Sequence, residues 1–131
     1  MKNLFLFVFI ILFFSCEKKE DKPVGNDLTA YVINKSSKTI DSVVFYTLLS
    51  NQILCDSVLI TDIEVSKEKS INWHDVQMCN ANGKYLIKAY LNDTIFTDTS
   101  GTFTNGETLI YKISAVVLDN SMYSVLAKHI E

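Results

Sequence analysis

Residues 4–14 (LFLFVFIILFF) form an unbroken apolar run that gives way at Ser15-Cys16 to the charged stretch Glu17-Lys18-Lys19-Glu20-Asp21. From Leu28 onward the pattern changes: apolar positions recur at every second residue in segments rich in β-branched and aromatic side chains, with no convincing period of 3.6. That periodicity predicts strands. Residues 28–34 (LTAYVIN) form a first strand and residues 40–49 (IDSVVFYTLL) a second, apolar on both faces and therefore central. Ser50-Asn51 turns the chain into residues 52–54. Residues 57–65 alternate most cleanly, with Leu59, Ile63 and Val65 expected on one side and Asp62 and Glu64 on the other. Lys67-Glu68-Lys69 reads as a charged turn before residues 71–73, and Asn80-Ala81-Asn82-Gly83 offers the positive φ of a tight hairpin. Tyr85, Ile87, Ala89 and Leu91 follow at period two, then a short strand at 95–97. Gly101 and Asn105-Gly106 punctuate the approach to the longest expected strand, 108–118, and Asp119-Asn120-Ser121 turns it into residues 122–130.

Seven or eight strands over residues 27–131 match the size of an all-β, antiparallel two-sheet sandwich. The chain of 131 residues divides into a leader (1–15), a Cys-headed tether (16–26) and one folded domain (27–131). The segment running from Tyr85-Leu86-Ile87 through Gly101-Thr102-Phe103-Thr104-Asn105-Gly106 to Ile110-Tyr111-Lys112-Ile113 resembles small Bacteroidota lipoproteins with a transthyretin-like sandwich. Transthyretin-like and immunoglobulin-like connections both remain open at this level.

Lys2, the apolar run and the small Ser15 have the three-part layout of a secretory signal. Eleven helical residues would cover roughly 17 Å, short of the ~30 Å hydrocarbon core, so a permanent span is not expected. Leu12-Phe13-Phe14-Ser15-Cys16 resembles a bacterial lipobox, with Phe13 where Leu is usual. The resemblance implies cleavage before Cys16 and acylation of its thiol; more than one acyl chain gives stable anchoring. Lys19-Glu20-Asp21 resembles the surface-export signal of Bacteroidota lipoproteins, which implies an outer-membrane, cell-surface location.

Composition narrows the partners. Acidic residues outnumber basic ones 15 to 12, all twelve cations are Lys, and the part beyond residue 15 carries a net charge of −4 (11 Lys against 15 acids). A nucleic-acid surface needs a basic surplus, so no nucleic-acid partner is expected. The membrane is the expected partner through Cys16, together with a protein or glycan of unknown identity.

Cys55 and Cys79 remain as an even pair in an exported chain, where an unpaired thiol meets oxidant, and they are expected to bond to each other. His74, Asp75, Met78 and Cys79 cluster in sequence, but no established zinc spacing is present, and neither metal nor cofactor is expected. No G-x-S-x-G elbow occurs, and Asp41, Asp56, Asp62, Asp93 and Asp98 fall near turns and strand edges, so a non-catalytic interaction module is expected. The alternative is a lipoprotein that binds or carries a small ligand, a glycan or a metal, using the region from His74 to Cys79. Trp73, His74 and Asp75 are the candidate ligand-binding residues, with loop 99–106 as a second location. Ser42, Ser57 and Thr94, in Asp-Ser/Thr-apolar tripeptides, resemble the O-glycosylation acceptors of exported Bacteroidota proteins, and modification requires them to be exposed.

Overall fold

The computed structural model describes residues 27–129; the leader, Cys16, the tether up to residue 26 and residues 130–131 lie outside the described residues. Eight strands and no helix make up the described part: β1 (Leu28–Asn34), β2 (Ile40–Leu49), β3 (Leu54–Ile63), β4 (Glu68–Trp73), β5 (Gly83–Leu91), β6 (Thr94–Phe103), β7 (Ile110–Val117) and β8 (Met122–Lys128). They form two four-stranded sheets, β4-β1-β7-β8 and β3-β2-β5-β6. The chain is thus an all-β sandwich. One strand pair departs from the expected antiparallel arrangement: β1 and β7 run parallel, Ala30 opposite Ile113 and Val32 opposite Ala115. A parallel pair needs a long crossover between its strands, and β2 to β6 supply it. The immunoglobulin order sets the first strand beside the second; here β1 lies between β4 and β7, so the connections differ from the immunoglobulin ones.

Period-two segments fold as strands because one face of each enters the space between the sheets. Leu28, Ala30 and Val32 of β1 and Tyr85, Ile87 and Ala89 of β5 point inward and are buried, meeting Val43, Phe45 and Ile113. Each large side chain removed from water contributes about 1.5–3 kcal/mol. In the second half of β7, Ser114, Ala115, Val116 and Val117 are all buried, as expected of a strand with neighbours on both sides.

Several local expectations are corrected. Residues 52–54 and 57–65 are not two segments; one strand, β3, covers Leu54–Ile63. Its inward residues are Ile60 and Ile63, while Leu59 and Val65 are exposed. Opposite them, Ile40 and Val43 are also both buried and also three apart, so the two strands rotate together where Asp62 takes φ 53. Residues 67–69 are not a turn: Glu68 and Lys69 begin β4. The segment 80–83 crosses between sheets instead of closing a hairpin, because β4 and β5 lie in different sheets. Gly83 is required there by closeness, since a Cβ would stand 2.3 Å from the Leu48 carbonyl oxygen. β6 is ten residues long and contains Gly101, whereas β7 has eight.

Candidate functional site

Trp73 ends β4 facing inward, opposite Leu28, and is 4% exposed. Its indole Nε1 donates to Asp56 Oδ2 at 3.2 Å, and the same oxygen accepts from the Gln77 amide at 2.8 Å. Trp73 therefore presents no aromatic platform, which corrects its expected role in ligand binding; its place opposite the buried Leu28 and its bond to Asp56 put it in the core. His74 is exposed, with Nδ1 3.7 Å from Asp27 Oδ2, and the Asp75 amide donates to Asp27 Oδ1 at 3.0 Å. The corner fastens the start of the domain to the end of β4.

The expected disulfide is present: Cys55 and Cys79 are bonded, with Cα atoms 6.2 Å apart. It ties β3 to the β4–β5 crossover, which is also held where Thr47 Oγ1 donates to the Gln77 carbonyl at 2.8 Å. A bonded Cys79 has no thiolate to offer beside His74. Among the three hydroxyls of the Asp-Ser/Thr tripeptides, Ser57 and Thr94 are exposed, while Ser42 is half-buried on the central strand β2.

The structure brings a different group together at the end of the sandwich where β6 runs out. Gly101 takes φ +66, and the β5–β6 register shifts between Gly83 and Tyr85, so β6 bulges at this point. Past Phe103 the chain reverses through Asn105 and Gly106, with φ 51 and φ 77, closed by the Thr104 amide donating to the Glu107 carbonyl at 3.1 Å and the reciprocal bond at 3.0 Å. Two central residues at positive φ make the Asn-Gly hairpin turn favoured between twisted strands. This hairpin docks on the crossover near the disulfide: Asn105 N donates to Asn82 Oδ1 at 2.8 Å and Gly106 N to the Ala81 carbonyl at 2.9 Å. The His129 amide, donating to the Leu109 carbonyl at 2.9 Å, holds the end of β8 against the returning chain.

Between these segments lies a cleft of about 500 Å³, walled by 101–104 on one side and by 107–110 with Lys128 on the other. Thr102, Thr104 and Glu107 are exposed on it, as is Leu109 at 56%, while Phe103 and Ile110 are buried beneath. No side-chain hydrogen bond or ion pair engages Glu107 or Lys128 among the described residues. Behind the wall, the fully buried Tyr85 hydroxyl lacks a partner within bonding distance. Burial pushes the Tyr85 phenol up, and the neighbouring Thr108 hydroxyl offsets this in part. Thr108 Oγ1 already accepts from the Ile110 amide at 3.1 Å.

Of the other carboxylates named from the sequence, Asp41 and Asp98 are engaged in the scaffold, while Asp62 and Asp93 are exposed. Asp41 Oδ2 accepts from the Asn92 amide at 2.8 Å. Asp98 accepts from the Thr99 amide at 2.9 Å and from Ser124 Oγ at 2.7 Å, the latter tying β6 to β8 across the open side of the sandwich. Loop 99–106 was legible as a location through its Gly and Asn-Gly signals. Glu107, Thr108, Leu109 and Lys128 were not, because nothing local in the sequence says that the end of β8 returns to the β6–β7 connection.

No family model matches the chain, and no curated protein matches it. Among solved structures, the NMR structure of a protein from Eubacterium rectale is similar, at 9% identity over 79% of this chain and 90% of that one, with a TM-score of 0.47.

Proposed function

We propose that this protein is a lipid-anchored envelope lipoprotein whose sandwich acts as a non-catalytic binding module, with the β6–β7–β8 cleft as its recognition site. The observation that carries this reading is the cleft itself: a walled space of about 500 Å³ edged by a carboxylate and an ammonium whose side chains have no partner among the described residues. A volume in the ~300–1,000 Å³ range is that of ligand-sized sites. Binding is favoured over catalysis because Asp41, Asp56 and Asp98 are engaged in hydrogen bonds that hold strands and loops together. The anchor is the acylated Cys16 implied by the lipobox-like sequence, and Lys19-Glu20-Asp21 supports display at the outer-membrane surface.

Two measurements on the protein made in a diderm bacterium test the proposal. Intact-mass analysis of the mature polypeptide is expected to begin at Cys16 and to carry acyl chains; a bare thiol or a retained leader refutes the anchor. Cross-linking on intact cells is expected to recover a partner with the unaltered protein and to lose it with Lys128→Glu. Recovery that is indifferent to that change refutes the cleft as the recognition site.

A further inference from the structure

We propose that the cleft takes a short extended peptide, which adds as a fifth strand to the free edge of β6 at residues 101–103. The inference rests on the reading of the cleft as a binding site and names its ligand class. Among the described residues β6 is the last strand of its sheet and pairs only with β5. An edge strand presents a row of backbone N–H and C=O groups with no partner in the sheet, and residues 101–103 of this edge line the cleft. Gly101 sits at the bulge, so the regular part of this edge is Thr102 and Phe103, about 7 Å of strand, which matches a ligand with two or three extended residues.

The side chains around that edge agree with a peptide. Glu107 offers a carboxylate to a basic side chain, Lys128 an ammonium to an acidic one, and Leu109 an exposed apolar surface to a residue between them. In strand addition the main chain supplies affinity and alternate side chains supply specificity. A sugar fits less well, because stacking needs an open aromatic face, and Phe103, the aromatic residue on the cleft, is 2% exposed.

The test uses the full chain, ¹⁵N-labelled and purified in detergent, titrated with a pool of acetylated, amidated pentapeptides that each contain one Lys and one Glu on a randomised Val/Thr frame. The amide resonances of residues 101–103 are expected to shift. The tightest member of the pool is then remade with alternate backbone nitrogens methylated, which removes N–H donors and keeps every side chain. Affinity is expected to fall at least tenfold. Lys128→Glu is expected to weaken the parent peptide about fivefold and to be rescued by a peptide with its Glu replaced by Lys. Unmoved 101–103 amides at millimolar pool overturn the proposal, as does equal binding by the methylated peptide. Should cross-linking still yield a partner lost on Lys128→Glu while the pool leaves these amides unmoved, the binding-module reading stands and the peptide assignment falls.

Discussion

The carboxylate of Asp56, on β3, accepts a hydrogen bond from the indole nitrogen of Trp73, on β4, at 3.2 Å, and so joins the edges of the two sheets. The same oxygen accepts from the Gln77 amide, which makes Asp56 the anchor of the crossover that follows Trp73. Replacing it by Ala strands three donors, the Trp73 indole and the Gln77 and Ser57 amides, the first on a side chain that is itself buried. Asp56→Ala is expected to lower unfolding free energy by about 2–3 kcal/mol, read by urea denaturation followed through Trp73 fluorescence. A change under about 0.5 kcal/mol would show that the bond is idle.

The Cys55–Cys79 bond closes a loop with a sequence separation of 24. In the chain-entropy description, cross-linking a loop of that length stabilises by about 3–4 kcal/mol. The Cys55→Ser, Cys79→Ser double variant is expected to show that loss in denaturant midpoint, and non-reducing mass analysis of the native protein to find no free thiol at either position.

Asn34 is 1% exposed and satisfies a junction by itself. Its Nδ2 donates to the carbonyls of Lys38 at 2.8 Å, Ile63 at 2.9 Å and Glu64 at 3.2 Å, while Oδ1 accepts from Ser36 N at 2.9 Å and Ser36 Oγ at 2.7 Å. Asn34→Asp keeps the shape but turns a carboxylate oxygen toward three carbonyls. A loss of about 3–5 kcal/mol at neutral pH is expected, as for an uncompensated buried charge, larger than that of Asn34→Ala. Equal stability of the two variants in thermal melts contradicts the assignment.

Tyr85 predicts the opposite sign. Its hydroxyl is buried without a partner within bonding distance, so deleting it removes a desolvation penalty while the ring keeps its edge contact with Phe103 at 5.7 Å. Tyr85→Phe is expected to leave stability unchanged or raise it by about 1 kcal/mol; a measurable decrease would reveal a partner for that oxygen.

Asp119 Oδ1 accepts from the Ser37 amide at 2.6 Å and from Ser37 Oγ at 2.7 Å, linking the β7–β8 turn to the β1–β2 connection. These bonds, the amide's first, hold the Asp119 carboxyl below its ordinary range. A depressed folded value means that the link is in force above the unfolded carboxylate range and is lost as pH falls through the folded one. The Ser37 amide resonance is expected to titrate with an apparent midpoint below that of an unperturbed aspartate, and to stop titrating in Asp119→Asn.

How much of this was readable beforehand differs by element. The bounds of β1 and β2 follow directly from the alternating pattern, and the Cys55–Cys79 pairing follows from cysteine parity once Cys16 is set aside as the expected lipid site. The phase of residues 57–65 does not, because the rotation at Asp62 switches which alternate set faces inward, and a period of two carries no information about that switch. Trp73 illustrates the same limit. Its chemistry suited either a platform or the core, and only its register opposite Leu28 decides for the core.

Along the chain itself, side-chain periodicity and residue type determined that this protein is made of strands and roughly where they lie, since these depend on local backbone preference; the count of three cysteines pointed to Cys55 and Cys79 only with Cys16 set aside as the expected lipid site. The parallel β1–β7 pair, the inward face of each strand, and the meeting of Glu107, Leu109 and Lys128 around the edge of β6 were decided by the packing of two sheets. Those relationships join residues far apart in sequence, and their free energy comes from burying faces against each other, which no local pattern encodes.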